Sequence, residues 1–182
     1  TYIAGFFGID DSGSLKVCFR YATDMGIPQF DSPELDNSVE LFTTGDATLV
    51  PRFDTNDNTR PWGKTIYIKV TNGSLVEGER VAIRFGPRRN GSRGFRVQTF
   101  CEESWEFRLL VDVFACYRYA QVPSSRRVEG ANILRANEVR LIPDTAVRWK
   151  AHAPSSVHRN ESFAIRIKAE DIWGNPTAAA IH

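Results

Sequence analysis

The feature that most constrains this chain is a period-two alternation that recurs along its length. Leu15, Val17 and Phe19 alternate with Lys16, Cys18 and Arg20. Ile66, Ile68 and Val70 alternate with Tyr67, Lys69 and Thr71, and Val81, Ile83 and Phe85 alternate with Arg80, Ala82 and Arg84. Phe163, Ile165 and Ile167 repeat the pattern with Ala164, Arg166 and Lys168. Successive side chains of a strand point to opposite faces, so such runs of β-branched and aromatic residues predict half-buried strands. Turn signals separate them: Asp11-Ser12-Gly13, Asn72-Gly73, Glu77-Gly78, Asn90-Gly91 and Gly174-Asn175-Pro176. No segment carries a sustained helical period. The expectation is an all-β protein with a β-sandwich over residues 1–122, a polar linker at 123–130 and a partial second sandwich over 131–182.

Composition narrows the partners. The 182 residues are 42% hydrophobic, enough for a packed core, and the formal net charge is +1. That balance argues against a general nucleic-acid binder, which carries a strong basic excess. No run approaches the roughly 18 apolar residues of a membrane span. The chain begins at Thr1 without a charged-then-apolar leader, which reads as a leader removed or a longer parent protein. Its compartment is left open. The sequons at Asn72, Asn90 and Asn160 are explained equally well by turn chemistry.

Three stretches and two residue pairs carry candidate chemistry. The run "GFRVQTFCEESWEFRLLVDVF", residues 94–114, sets Cys101 beside Glu102 and Glu103. One reading is a thiol beside a general base. The other places Phe95, Val97, Thr99 and Cys101 on one face of a strand, the acids at a bend, and Trp105, Phe107, Leu109, Val111 and Val113 on the next. The second is preferred, because a thiol in apolar surroundings has a raised pKa and is inert. All three cysteines are expected to be reduced.

The loop "DTNDNTRPWGK", residues 54–64, has Asp54, Asn56 and Asn58 at alternate positions, but Thr59 and Thr65 stand where a calcium loop needs Gly and Glu. An Asx-rich turn accounts for it. Arg60 and Trp62 in the same loop are residue types favoured in binding sites; the plainer reading packs Trp62 beneath the loop. The hairpin "RFGPRRNGSRGFR", residues 84–96, holds five arginines and no acid. Arg88, Arg93 and Arg96 are its candidates for an anion, since guanidinium forks match phosphate, sulfate and carboxylate. His152 and His158 have no carboxylate between them and make a poor metal pair, so no metal site is expected in this chain. Asp10 and Asp11 read as a turn entering a strand.

The segment "FAIRIKAEDIWGNP", residues 163–176, resembles the first half of bacterial immunoglobulin-like modules, in which an acidic residue and a Gly-Asn turn close a corner. Residues 131–182 are few for such a sandwich of about 100 residues. Taken in order, "GIDDSGSLKVCFRYATDMGIPQFDSP", "RPWGKTIYIKV", "GFRVQTFCEESWEFRLLVD" and that segment resemble an uncharacterised bacterial family. Its members join an N-terminal β region and an immunoglobulin-like segment to a downstream PHP-like (polymerase and histidinol phosphatase) metal-dependent hydrolase module. The resemblance implies an accessory, non-catalytic β region that positions the catalytic module; for recognition of an anionic substrate, the loop and hairpin chemistry above makes Arg60, Trp62, Arg88, Arg93 and Arg96 the expected contacts. No catalytic residue or metal ligand carries over, because the divalent metal would belong to the downstream module, the expected partner. Two other classes stay open. One is a surface interaction module in an immunoglobulin-like stack; the other is an enzyme working through Cys101. An uncovered strand edge in residues 131–182 would also permit a homodimer.

Overall fold

The computed structural model describes residues 1–89, 91–124, 126–129, 132–135 and 137–178. Every regular element among them is a β-strand, so the protein is all-β. The strands are β1 (Tyr2–Ile3), β2 (Ser14–Phe19), β3 (Val39–Thr43), β4 (Thr48–Asp54), β5 (Lys64–Thr71), β6 (Arg80–Phe85) and β7 (Glu102–Asp112). They continue with β8 (Ala120–Gln121), β9 (Arg126–Glu129), β10 (Asn132–Arg135), β11 (Glu138–Leu141), β12 (Arg148–His152), β13 (Arg166–Glu170) and β14 (Pro176–Thr177). Among the described residues no helix is long and apolar enough to cross a membrane.

The chain forms two compact units: Thr1–Gln98 with Glu106–Glu138, and Thr99–Trp105 with Val139–His182. This division differs from a linker at 123–130. Within that stretch Arg126–Glu129 is a strand, β9, paired antiparallel with β10, while residues 125 and 130 lie outside the described ones.

The first unit is built on β2. It pairs antiparallel with β5, Val17 opposite Ile66, and with β7, Val17 opposite Leu109. β5 pairs with β4 in turn, and β8 adds to β7. A strand with neighbours on both edges has its backbone donors and acceptors satisfied, so it can be buried on both faces. On the apolar face Leu15, Val17, Phe19, Ile66, Ile68 and Val70 are all buried. A second sheet, β1-β6-β3, contributes Tyr2, Val39 and Val81 to the core. Phe19 meets Phe85 of that sheet edge-on at 6.1 Å between ring centres, a sandwich-like arrangement. Pro51 sits in β4, an end strand of the ladder, where a missing N–H is tolerated.

On the opposite face of β2 stand Ser14, Lys16 and Cys18, and Cys18 is fully buried as well. The cover is the 54–64 loop. Asn58 Nδ2 donates to Cys18 Sγ at 3.3 Å, and Lys16 Nζ donates to the Asp57 carbonyl at 2.8 Å. Arg52 pairs with Asp57 at 3.2 Å.

Two expected strands are corrected. Residues 92–101 form no ladder, so Phe95, Val97, Thr99 and Cys101 are not one strand face, and Val97 and Phe100 are exposed. Irregular bonds satisfy that backbone instead: Asn37 N donates to Gly94 O, Arg96 N to Asn37 Oδ1, and Gly26 N to Arg96 O. Glu102, Glu103 and Ser104 are not a bend; they open β7 itself. The run at 163–167 enters its strand only at Arg166, and Phe163, Ile165 and Ile167 are exposed.

In the second unit β13 lies between β12 and β14. Arg140, in β11, pairs with Glu103 at 2.9 Å.

Ile68 is at the centre of the first unit, opposite Leu15 and Pro51. Its truncation, Ile68→Ala, leaves a cavity and is expected to cost about 2–5 kcal/mol. Lys69→Ala, on the polar face, is expected to cost under about 1 kcal/mol. The denaturant midpoint, at unchanged slope, reads both.

Candidate functional site

The arginine hairpin looked like an unopposed cationic loop in sequence. Folding brings it acids from residues 24–40. Arg89 and Arg84 pair with Glu40 at 3.1 and 3.4 Å. Arg93 Nε meets Asp36 Oδ2 at 2.8 Å while its backbone N–H donates to Asp36 Oδ1 at 2.7 Å. These two bonds hold the Asp36 carboxyl below its ordinary range. Arg96 approaches Asp24 at 3.7 Å. Arg88 is exposed and makes no ion pair among the described residues. The acids are too far away in sequence for charge patterning within 84–96 to reveal them.

Arg60 and Trp62 separate. Arg60 is exposed, with its guanidinium 5.0 Å from the centre of the Tyr21 ring. Trp62 is only 6% exposed, and Arg108 stacks over its ring at 4.4 Å. Such a buried, covered indole anchors its loop and offers little surface to a ligand. Asp54 Oδ1 accepts from Asn56 N at 2.7 Å, an Asx turn, and Asn58 is spent on Cys18. Asp54 and Asn58 of the loop therefore serve the fold. Among the described residues no group of three or more His, Cys, Asp or Glu could hold a metal ion. His152 and His158 are both exposed, on β12 and in the loop after it, and His182 lies outside the described residues. Asn72 and Asn160 both have left-handed backbone, at φ 54° and 67°, as turn asparagines do; Asn90 lies outside the described residues. Gly13 N donates to Asp10 O, closing the turn that enters β2.

Cys101 is half-buried and its thiol is pushed up, first by burial and then by the Asp171 charge. Its backbone N–H donates to Asn175 Oδ1 at 3.0 Å. Glu103, the base candidate beside it in sequence, is engaged by Arg140 at 3.1 Å. All three cysteines are free thiols: Cys18 buried, Cys101 half-buried and Cys116 exposed.

A feature that sequence reasoning left as a corner proves to be a dense polar knot. Asp171 is buried. Its carboxylate accepts from Asn175 N at 2.8 Å, Asn175 Nδ2 at 2.9 Å, Trp173 N at 2.9 Å and Asp144 N at 3.2 Å. Burial raises its pKa, but these four donors outweigh it and hold the carboxyl at about 2. Asn175 Nδ2 also reaches Thr99 O at 2.8 Å. Beside it, Glu170 is buried beneath three cations: Lys168 at 2.7 Å, and Arg148 and Lys150 at 3.1 Å each. Those ammonium and guanidinium groups hold Glu170 at about 2 as well. The Glu-Asp pair was legible in "AEDIWGNP"; the three cations were not, because two come from β12.

Both carboxyls are depressed below their unfolded values of 4.5 and 3.8. They therefore stabilise the fold fully above about pH 4.5, and that contribution is lost as pH falls toward 2. An acid titration by near-ultraviolet circular dichroism should show the second unit loosening in that window, and Asp171→Asn should remove the Asp171 share of its pH dependence while leaving that of Glu170. Alkylation followed by mass spectrometry should modify Cys116 first and Cys18 last, with Cys101 showing no enhanced rate. No family model, curated protein or solved structure matches this chain.

Proposed function

We propose that this chain is a non-catalytic accessory β region of a larger PHP-like metal-dependent hydrolase, acting to position the catalytic module. The observation that carries the accessory role is the largely exposed apolar face of the second unit's sheet, on which Ala169 is buried but its neighbours are not. Trp149 and Ile167 lie on that face and each is more than half exposed, with Trp149 opposite Ala169 and Ile167 opposite Ala151. Three antiparallel strands with one apolar face ordinarily pack that face against another layer. An exposed apolar patch of this kind marks a surface that a further domain covers. The hydrolase part of the reading rests on the ordered sequence resemblance.

Recognition of an anionic substrate is a smaller part of the proposal. Arg88 and Arg60 are its contacts, because Arg93 and Arg96 are held by Asp36 and Asp24 and Trp62 is buried. A second reading, an interaction module in an immunoglobulin-like stack, is favoured by the same apolar face and by the Asp171 corner. In both readings the chain acts by being docked rather than by catalysis.

Phosphoester hydrolysis with added divalent metal separates the two. The accessory reading expects no activity from residues 1–182 alone and activity from the longer natural protein. Inactivity of the longer protein across phosphoester substrates would leave the stack reading.

A further inference from the structure

β12 is a strand edge with two chemically distinct faces. Among the described strands it pairs with β13 alone, and all five of its residues, Arg148–His152, are exposed. Residues directly opposite in an antiparallel pair share a face. Arg148 lies opposite Glu170, Lys150 opposite Lys168, and His152 opposite Arg166. That face carries four full positive charges, Arg148, Lys150, Arg166 and Lys168, over the single buried carboxylate of Glu170. His152 and Arg166 make no ion pair among the described residues. The other face carries Trp149, Ala151, Ile167 and Ala169.

We propose that the β12 edge accepts an added strand from a partner whose extended segment alternates acidic and apolar residues. In strand addition, main-chain hydrogen bonds supply affinity and alternate side chains supply specificity. Same-face side chains on any extended strand repeat at about 6.8 Å, so acids two residues apart keep step with Arg148, Lys150 and His152. The apolar residues between them fall beside Trp149 and Ala151, where the small Ala151 side chain leaves room. The inference deepens the accessory reading by naming the partner's chemistry, and it stands on the second unit alone.

A second copy of this chain is the wrong occupant. Antiparallel self-pairing centred on Lys150 sets Lys150 directly against Lys150, and parallel pairing sets Arg148 and Lys150 each against itself. Like charges directly opposite are destabilising. Slipping the register by one residue puts cations beside Trp149 and turns each face over. The basic side chains thus guard the edge against its own kind, a common use of charge on edge strands, and leave it open to acids. The homodimer expected through residues 131–182 is disfavoured at this edge for that reason.

The test titrates the full chain with a short, end-blocked peptide of alternating Glu and Val. Calorimetry reads binding, and amide hydrogen exchange locates it. The expected result is binding with new protection at residues 148–152. Lys150→Glu should weaken binding by at least about tenfold. Because Lys150 also holds Glu170, His152→Glu places a negative charge on the same face at a side chain that holds no carboxylate, with loss in the same direction. A peptide N-methylated on its bonding edge should not bind. Equal binding by that peptide, or by polyglutamate, would reduce the effect to charge alone and overturn the proposal. So would equal binding by a Lys-Val peptide, protection elsewhere, or no binding. None of these results bears on whether the longer protein hydrolyses phosphoesters, so the two readings fail separately.

Discussion

The first unit depends on the double pairing of β2. With β5 on one edge and β7 on the other, its backbone polar groups are satisfied, and the strand can leave water completely. Leu15, Val17 and Phe19 then find Ile66, Ile68, Leu109 and Val111 across the ladders, and the apolar face is assembled from three strands far apart in sequence. The polar face would ordinarily stay wet. Here the 54–64 loop folds over it, with Asn58 and Asp57 bonded to Cys18 and Lys16, and Trp62 held under Arg108. Of the loop's two binding candidates, Trp62 is thereby spent on closing the core while Arg60 stays exposed.

Charge is managed by burying or fixing acids beneath clusters of cations. Glu40 takes Arg84 and Arg89, Asp36 takes Arg93, and Glu170 takes Arg148, Lys150 and Lys168. In the hairpin three acids engage four of the five arginines, and Arg88 alone is left without an ion pair among the described residues. On the β12–β13 face one carboxylate serves three cations, and Arg166 adds a fourth positive charge with no ion pair among the described residues. A near-neutral net charge therefore conceals one surface with a strong sign.

The second unit is small, and its order is concentrated at Asp171 and Asn175. These two side chains tie residues 99–101, 144 and 173–175 into one network. A carboxylate buried with four N–H donors is strongly directional. It fixes the corner without a thick apolar core, and the sheet keeps an exposed apolar face beside it.

The sequence by itself determined the all-β class, because period-two alternation with β-branched and aromatic residues has no helical solution. It also determined the strands around Leu15, Ile68 and Val81, the turns between them, and the turn character of the 54–64 and 171–176 segments. Local spacing is enough for these, since the pattern and the geometry it dictates lie within a few residues. Only the tertiary structure decided that residues 92–101 bond irregularly to Asn37 and Gly26, that Glu102 and Glu103 begin a strand, and that Ile165 and Ile167 face outward. It alone paired Arg93 with Asp36 and set Arg148 and Lys150 over Glu170. Those outcomes depend on which distant segment arrives, and alternation says which side chains share a face but not what, if anything, covers it.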